Sequence, residues 1–153
     1  MKVRSRARPD RESGASAVEL VLWTPLLFLV MFAAVQFGLD LFAQHVANSA
    51  AQEGARQARD TAYGDPNWAP KSTAYTAQWA VDLIGGLITT NPLSPTALPA
   101  GGINLNTAQN PEVGVQITFS VVSVIPFVPL TVSASSEGPV ECFYNVTGTC
   151  VGD

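Results

Sequence analysis

Between Glu19 and Asp40 lie 20 consecutive uncharged residues, Leu20 to Leu39, most of them Leu, Val, Phe or Ala. Coiled as a helix at about 1.5 Å per residue, they measure about 30 Å, the thickness of a bilayer's hydrocarbon core. That is longer than the roughly 7 to 15 apolar residues of a cleaved secretory signal. The run therefore predicts a membrane anchor, and whatever else the chain folds into must hang from it. Pro25 lies inside the run, where a missing backbone donor and a clash with the preceding turn predict a local helix kink.

Charge is divided unevenly about this segment. Five of the eight basic residues (Lys2, Arg4, Arg6, Arg8, Arg11) precede residue 12, whereas from Gly14 onward ten acidic residues face three basic ones (Arg56, Arg59, Lys71), a local balance of −7. Basic residues beside a span stay in the cytoplasm, so the N-terminus is expected there and the remainder on the far side of the plasma (inner) membrane. The acidic balance argues against a nucleic-acid partner. Two cysteines, Cys142 and Cys150, fall in the translocated part, where thiols oxidise, and are the candidate disulfide pair.

Beyond Asp40 the pattern turns polar, but Ala43, Ala47, Ala50, Ala51, Gly54 and Ala58 return at helical spacing. They form a small-residue seam, suited to close approach of either a neighbouring protomer or the chain's own domain. The helix is expected to reach about Ala62, before the turn-rich string Tyr63-Gly64-Asp65-Pro66. Ala80, Leu83, Ile84 and Leu87 predict a second helix ending near Gly85-Gly86, with Trp79 against its flank. Residues 89–111 are rich in Pro, Gly, Asn and Thr and read as loop. Val113, Val115, Ile117, Phe119 and Val121 alternate with small or polar residues as in a half-buried strand. Pro126 and Pro129 mark a bend, and Leu130, Val132 and Ala134 resume the alternation. The expected fold class is α+β: a long N-terminal transmembrane helix extending into a small extracytoplasmic domain with a short antiparallel sheet.

The inventory for chemistry is thin. His45 is the single histidine and has no companion ligands at metal spacing. No base, orienter and nucleophile set is apparent, and Gly85-Gly86 and Gly101-Gly102 lack the flanks of a phosphate loop, so neither catalytic nor metal residues, nor a cofactor, are expected. Asn145-Val146-Thr147 matches a glycosylation triplet, a pattern short enough to arise by chance.

At the head of the helix the sequence reads Gly14-Ala15-Ser16-Ala17-Val18-Glu19. A carboxylate there either reaches the headgroups or pairs with a cation. Gly14 with Glu19 five residues later, then Pro25 in a long apolar helix, resembles the class III signal cut by prepilin peptidases. The longer run ESGASAVELVLWTPLLFLVMFAAVQFGLDLFAQHVANSAAQEGARQAR, with its "PLL" and terminal "EGAR", resembles the TadE-like family, and VIPFVPLTVSASSE from Val124 to Glu137 is similar to the strand and Pro-aromatic bend that follow the helix there. Leu20 departs from the Phe often found beside the glutamate.

The resemblance implies a minor pilin or pseudopilin of a tight-adherence (Tad or Flp, type IVc) pilus. It implies a leader ending at Gly14, a mature N-terminus at Ala15, and a Glu19 that neutralises a neighbouring subunit's terminal amine. The implied partners are the prepilin peptidase, other Tad pilins and pseudopilins, the inner-membrane assembly platform and the lipid bilayer. The resulting division is a basic leader at 1–14, a transmembrane helix at 15–42, its extension at 43–62 and a small domain at 63–153. The main alternative is a permanently anchored extracytoplasmic binding module outside any pilus. A secreted protein cut near Ala33 or Ala34 and an envelope hydrolase are the more distant ones.

Overall fold

The computed structural model describes residues 12–90, 92–100, 111–125, 130–141, 143–144, 146 and 150–151. Its principal element is one helix, α1 (Glu12–Thr61), of 50 residues. A second helix, α2 (Trp68–Ile84), follows and runs into a short 3₁₀ turn at Gly85–Leu87. Three strands, β1 (Thr96–Leu98), β2 (Glu112–Val121) and β3 (Leu130–Pro139), make an antiparallel sheet in the order β1-β2-β3. Near the C-terminus β4 (Phe143–Tyr144) pairs with β5 (Cys150–Val151). The architecture is α+β: a long apolar N-terminal helix followed by a small domain of one helix and a three-stranded sheet.

The C-terminal half of α1 is one wall of that domain. Ala43, Ala47, Ala50, Ala51 and Ala58 are buried, so the small-residue seam is covered by the chain's own sheet and second helix. The closest approach is at Gly54, where an added Cβ would overlap the Thr76 hydroxyl. The absence of a side chain there lets α2 lie directly on α1, and Thr76 satisfies its hydroxyl within its own helix by donating to the carbonyl of Ser72 at 2.7 Å.

This contact explains where α2 departs from the sequence expectation. The helix begins 12 residues before Ala80, and its buried stripe is Trp68, Ser72, Thr76, Ala80 and Ile84. A stripe containing Ser and Thr carries no apolar period, and Leu83, expected on the inner face, is exposed. Small hydroxyl residues win the inner face because a bulky one would force the helices apart. Pro70 sits in the first turn of α2, where a missing N–H is harmless.

In β2 the alternation holds: Val113, Val115, Ile117, Phe119 and Val121 are buried against α1 and its neighbours. The register runs from Glu112 opposite Pro139 to Val121 opposite Leu130, with Val132 and Ala134 of β3 facing the same core. The other face of the hairpin is polar and exposed, and the Thr118 and Ser133 hydroxyls and those of Ser120 and Thr131 pair across the strands at 2.9 Å each. Within 89–111, expected as loop, Thr96-Ala97-Leu98 forms β1 on the far side of β2. Three residues bounded by Pro95 and a cis Leu98–Pro99 bond are too short a strand to show as alternation.

Candidate membrane-anchoring and assembly site

No described residues form a cluster of three or more His, Cys, Asp or Glu able to hold a metal, and His45 is exposed on α1. The candidate surface that the fold does offer is the N-terminal half of α1, which no other part of the described chain covers except at one end. Val18, Leu20, Val21, Leu22, Trp23 and Leu27 are between 58% and 74% exposed, in a protein whose alanines a few turns on are wholly buried. A contiguous apolar cylinder of this length is unstable in water and marks contact with lipid or with other helices. By length and composition it is able to cross a membrane, which fits single-pass anchoring.

Glu19 is exposed on this bare cylinder, between Val18 and Leu20. It has no ion-pair partner among the described residues. Gly14 and Ala15 lie within the helical backbone of α1, five and four residues before it. Pro25 is also inside α1, which continues through it as one element. Proline has no N–H to give the carbonyl of Val21, and next to it the Thr24 hydroxyl donates to the carbonyl of Leu20 at 2.6 Å. Of the proposed disulfide pair, Cys142 falls outside the described residues, and Cys150 lies in β5 opposite Tyr144. The glycosylation triplet also falls mostly outside them.

Where the bare half meets the folded domain, Gln36 is the junction. It is buried, although it sits in the otherwise apolar run. Its Oε1 accepts from the backbone N–H of Val124 at 2.7 Å and of Ile125 at 3.4 Å, and from the Ser123 hydroxyl at 3.3 Å. The Ser123 hydroxyl is also within 2.8 Å of the carbonyl of Ile125. One amide thus caps the start of the β2–β3 connection, while Gln36 Nε2 is buried without a partner. Composition alone treats Gln36 as a blemish in a hydrophobic stretch. The signal that could have found it was an amide within the span together with a Pro-rich, uncharged connection elsewhere that needs backbone partners.

At the opposite end of α1, Arg59 lies against Gly138, and its Nε is 4.0 Å from a Glu141 carboxylate oxygen, while Glu141 N–H donates to the Arg59 carbonyl at 3.3 Å. In the turn before α2, Asp65 accepts from the backbone N–H of Asn67 and from Lys71. Those bonds, Lys71 foremost, hold its carboxyl below the usual carboxylate value.

Compared with known families, residues 14–56 match the model of the TadE-like proteins. No curated protein and no solved structure matches the chain. The matched stretch runs from the Gly14 position through the bare cylinder, Gln36 and the seam as far as Gly54, ending at Arg56, and takes in both Glu19 and the close-packed Gly54.

Proposed function

We propose that this chain, TadE-like over residues 14–56 and by that match related to Tad pili, is a minor pilin or pseudopilin that a prepilin peptidase processes between Gly14 and Ala15. Its role is structural. The N-terminus stays in the cytoplasm, α1 crosses the inner membrane, and the domain built on its outer half stands on the far side. Assembly transfers the bare half of α1 from lipid to contact with other pilin and pseudopilin helices, at the inner-membrane platform.

The observation that carries this reading is the coincidence of the family match with an uncovered apolar helix that bears a carboxylate, Glu19, immediately before its uncharged run. An unpaired carboxylate costs about 2.5 to 3.5 kcal/mol at the middle of a membrane and less toward its surface. Glu19 therefore tolerates the interface, and inside a helix bundle it gains from an ammonium such as the Ala15 amine that cleavage would expose. The neighbour's amine is the one it would meet in a filament.

Two experiments test the proposal. Intact mass and terminal sequencing of the membrane-extracted protein, from cells with and without the peptidase, should give a start at Ala15 only when the peptidase is present. An intact Met1 in both would make the chain a permanent anchor and sink the pilin reading. Glu19→Ala should abolish incorporation into pili while leaving membrane retention intact, with Glu19→Gln separating charge from hydrogen bonding. Normal incorporation of both variants would refute the role of the charge.

A further inference from the structure

The β2–β3 hairpin is polarised along its length. Glu112 and Glu137 stand at its outer end, and the 24 residues between them carry no charge at all. Its outer end packs near Ala58 and Ala62 through Val113, and its inner end, with Phe119 and Val121, packs in the cluster containing Ala43 and Val46. The hairpin thus points down α1, toward the bare half.

Its inner end passes the domain's edge. Beyond Val121, residues 122–125 continue alongside α1 to Gln36, and Val124 and Ile125 line an apolar cleft with Leu29 and Phe32. Phe32 is eight residues inside Asp40 and Leu29 eleven, so at about 1.5 Å per residue the cleft lies about 12 to 16 Å below that charge along the helix. With Leu20 to Leu39 in hydrocarbon, that depth lies within the leaflet on the side of the folded domain. Val122 and Val124 are each 40% exposed there, and the sequence that follows, Pro126-Phe127-Val128-Pro129, adds no charge.

A non-helical segment at such a depth needs partners for its backbone groups, because lipid offers none. Gln36 meets part of that need, receiving the N–H groups of Val124 and Ile125, while the Ser123 hydroxyl serves the carbonyl of Ile125 and the Val122 N–H donates to the carbonyl of Leu87 at 2.9 Å. A buried amide whose acceptor is spent wholly on this connection has little purpose in a connection bathed in water, which would satisfy the same groups.

From this we infer that the start of the β2–β3 connection, Val122 to Ile125, is a second membrane contact, inserted among lipid acyl chains beside α1 and held there by Gln36. The chain is then attached by a helix and a wedge. This rests on α1 lying in a bilayer and not on entry into a pilus.

The test places a small fluorescent amino acid, by amber suppression, at Val122, Val124, Ser135 or Leu27 of the full chain, reconstituted in phosphatidylethanolamine and phosphatidylglycerol vesicles. Quenching by acyl-chain nitroxide lipid is compared with quenching by aqueous iodide. Reporters at 122 and 124 should be quenched by the nitroxide, shielded from iodide and shifted to the blue, as at Leu27 on the bare helix, while Ser135 on the open sheet face should respond to iodide alone. Iodide quenching at both 122 and 124, with Leu27 still nitroxide-quenched, overturns the wedge and leaves the anchor standing. Quenching by neither agent would mean that protein, not lipid, covers the segment, and overturns it equally. Failure of peptidase processing would leave these readings untouched.

Discussion

Gly54 and Thr76 set the distance between two helices by the absence of one side chain. Gly54→Ala would drive a methyl group into the Thr76 hydroxyl and should cost about 1 to 3 kcal/mol, read as a lowered thermal midpoint by circular dichroism in detergent. Pairing it with Thr76→Ala, which removes the hydroxyl that the new methyl meets, should recover part of the loss, since contacting substitutions are coupled. Gln36→Leu keeps the apolar character of its segment but strips the acceptor from the Val124 N–H, and a loss of about 1 to 3 kcal/mol is expected, with hydrogen exchange of that amide accelerated. The Asp65 carboxyl titrates below its ordinary value, so its contribution to stability is complete above that value and fades as pH falls through the lowered one. Lys71→Ala removes the principal cause and should move the Asp65 pKa upward in a carboxyl NMR titration.

At the scale of elements, the seam on α1 decides how the sheet is mounted. Ala50 has no exposed surface and lies in the cluster with Phe119 and Val132. Ala50→Leu should therefore separate helix from sheet and lower the unfolding midpoint, whereas the same change at the exposed Asn48 should leave it nearly unmoved. The seam, the alternating strand from Val113 to Val121 and the bare cylinder were all legible in the sequence, because the first two each follow a single period and the third is one unbroken uncharged run. Three features were not. Two of the five residues in the buried stripe of α2 are hydroxyl residues, so only its C-terminal part, Ala80 and Ile84, shows an apolar pattern, and Leu83, which does look apolar, faces out. The three-residue β1 is shorter than any pattern. Gln36 looks like a flaw until the segment it caps, 88 residues away, comes to rest beside it. The seam's occupant was undecided between neighbour and own domain because small residues accept either, and only the fold assigned it. The Glu19 carboxylate was visible from its place at the head of the run, while its proposed partner would belong to a cleaved neighbour.

Taken whole, the chain has one structural member shared by two environments. The lower half of α1 stands bare, and the upper half is a wall of the domain's core. A chain beginning near Asp40 should consequently keep a cooperative thermal transition by circular dichroism, since the wall is retained. One beginning at Ala62 should lose it, because the buried faces of β2, β3 and α2 would have no helix to close upon.

That continuity has a mechanical consequence. At 50 residues α1 is about 75 Å long, and there is no slack between the part within reach of lipid and the part that carries the sheet. A protein tethered by a flexible linker can face any direction while its anchor leans. Here a lean of about 20°, ordinary for membrane helices, would displace the far end of α1 sideways by about 11 Å relative to Asp40, over the roughly 33 Å of helix beyond that residue, and turn the hydroxyl-lined sheet face with it. The molecule behaves as a mast with its vane fixed rather than a buoy on a chain, so a push on the helix below is felt as a reorientation above.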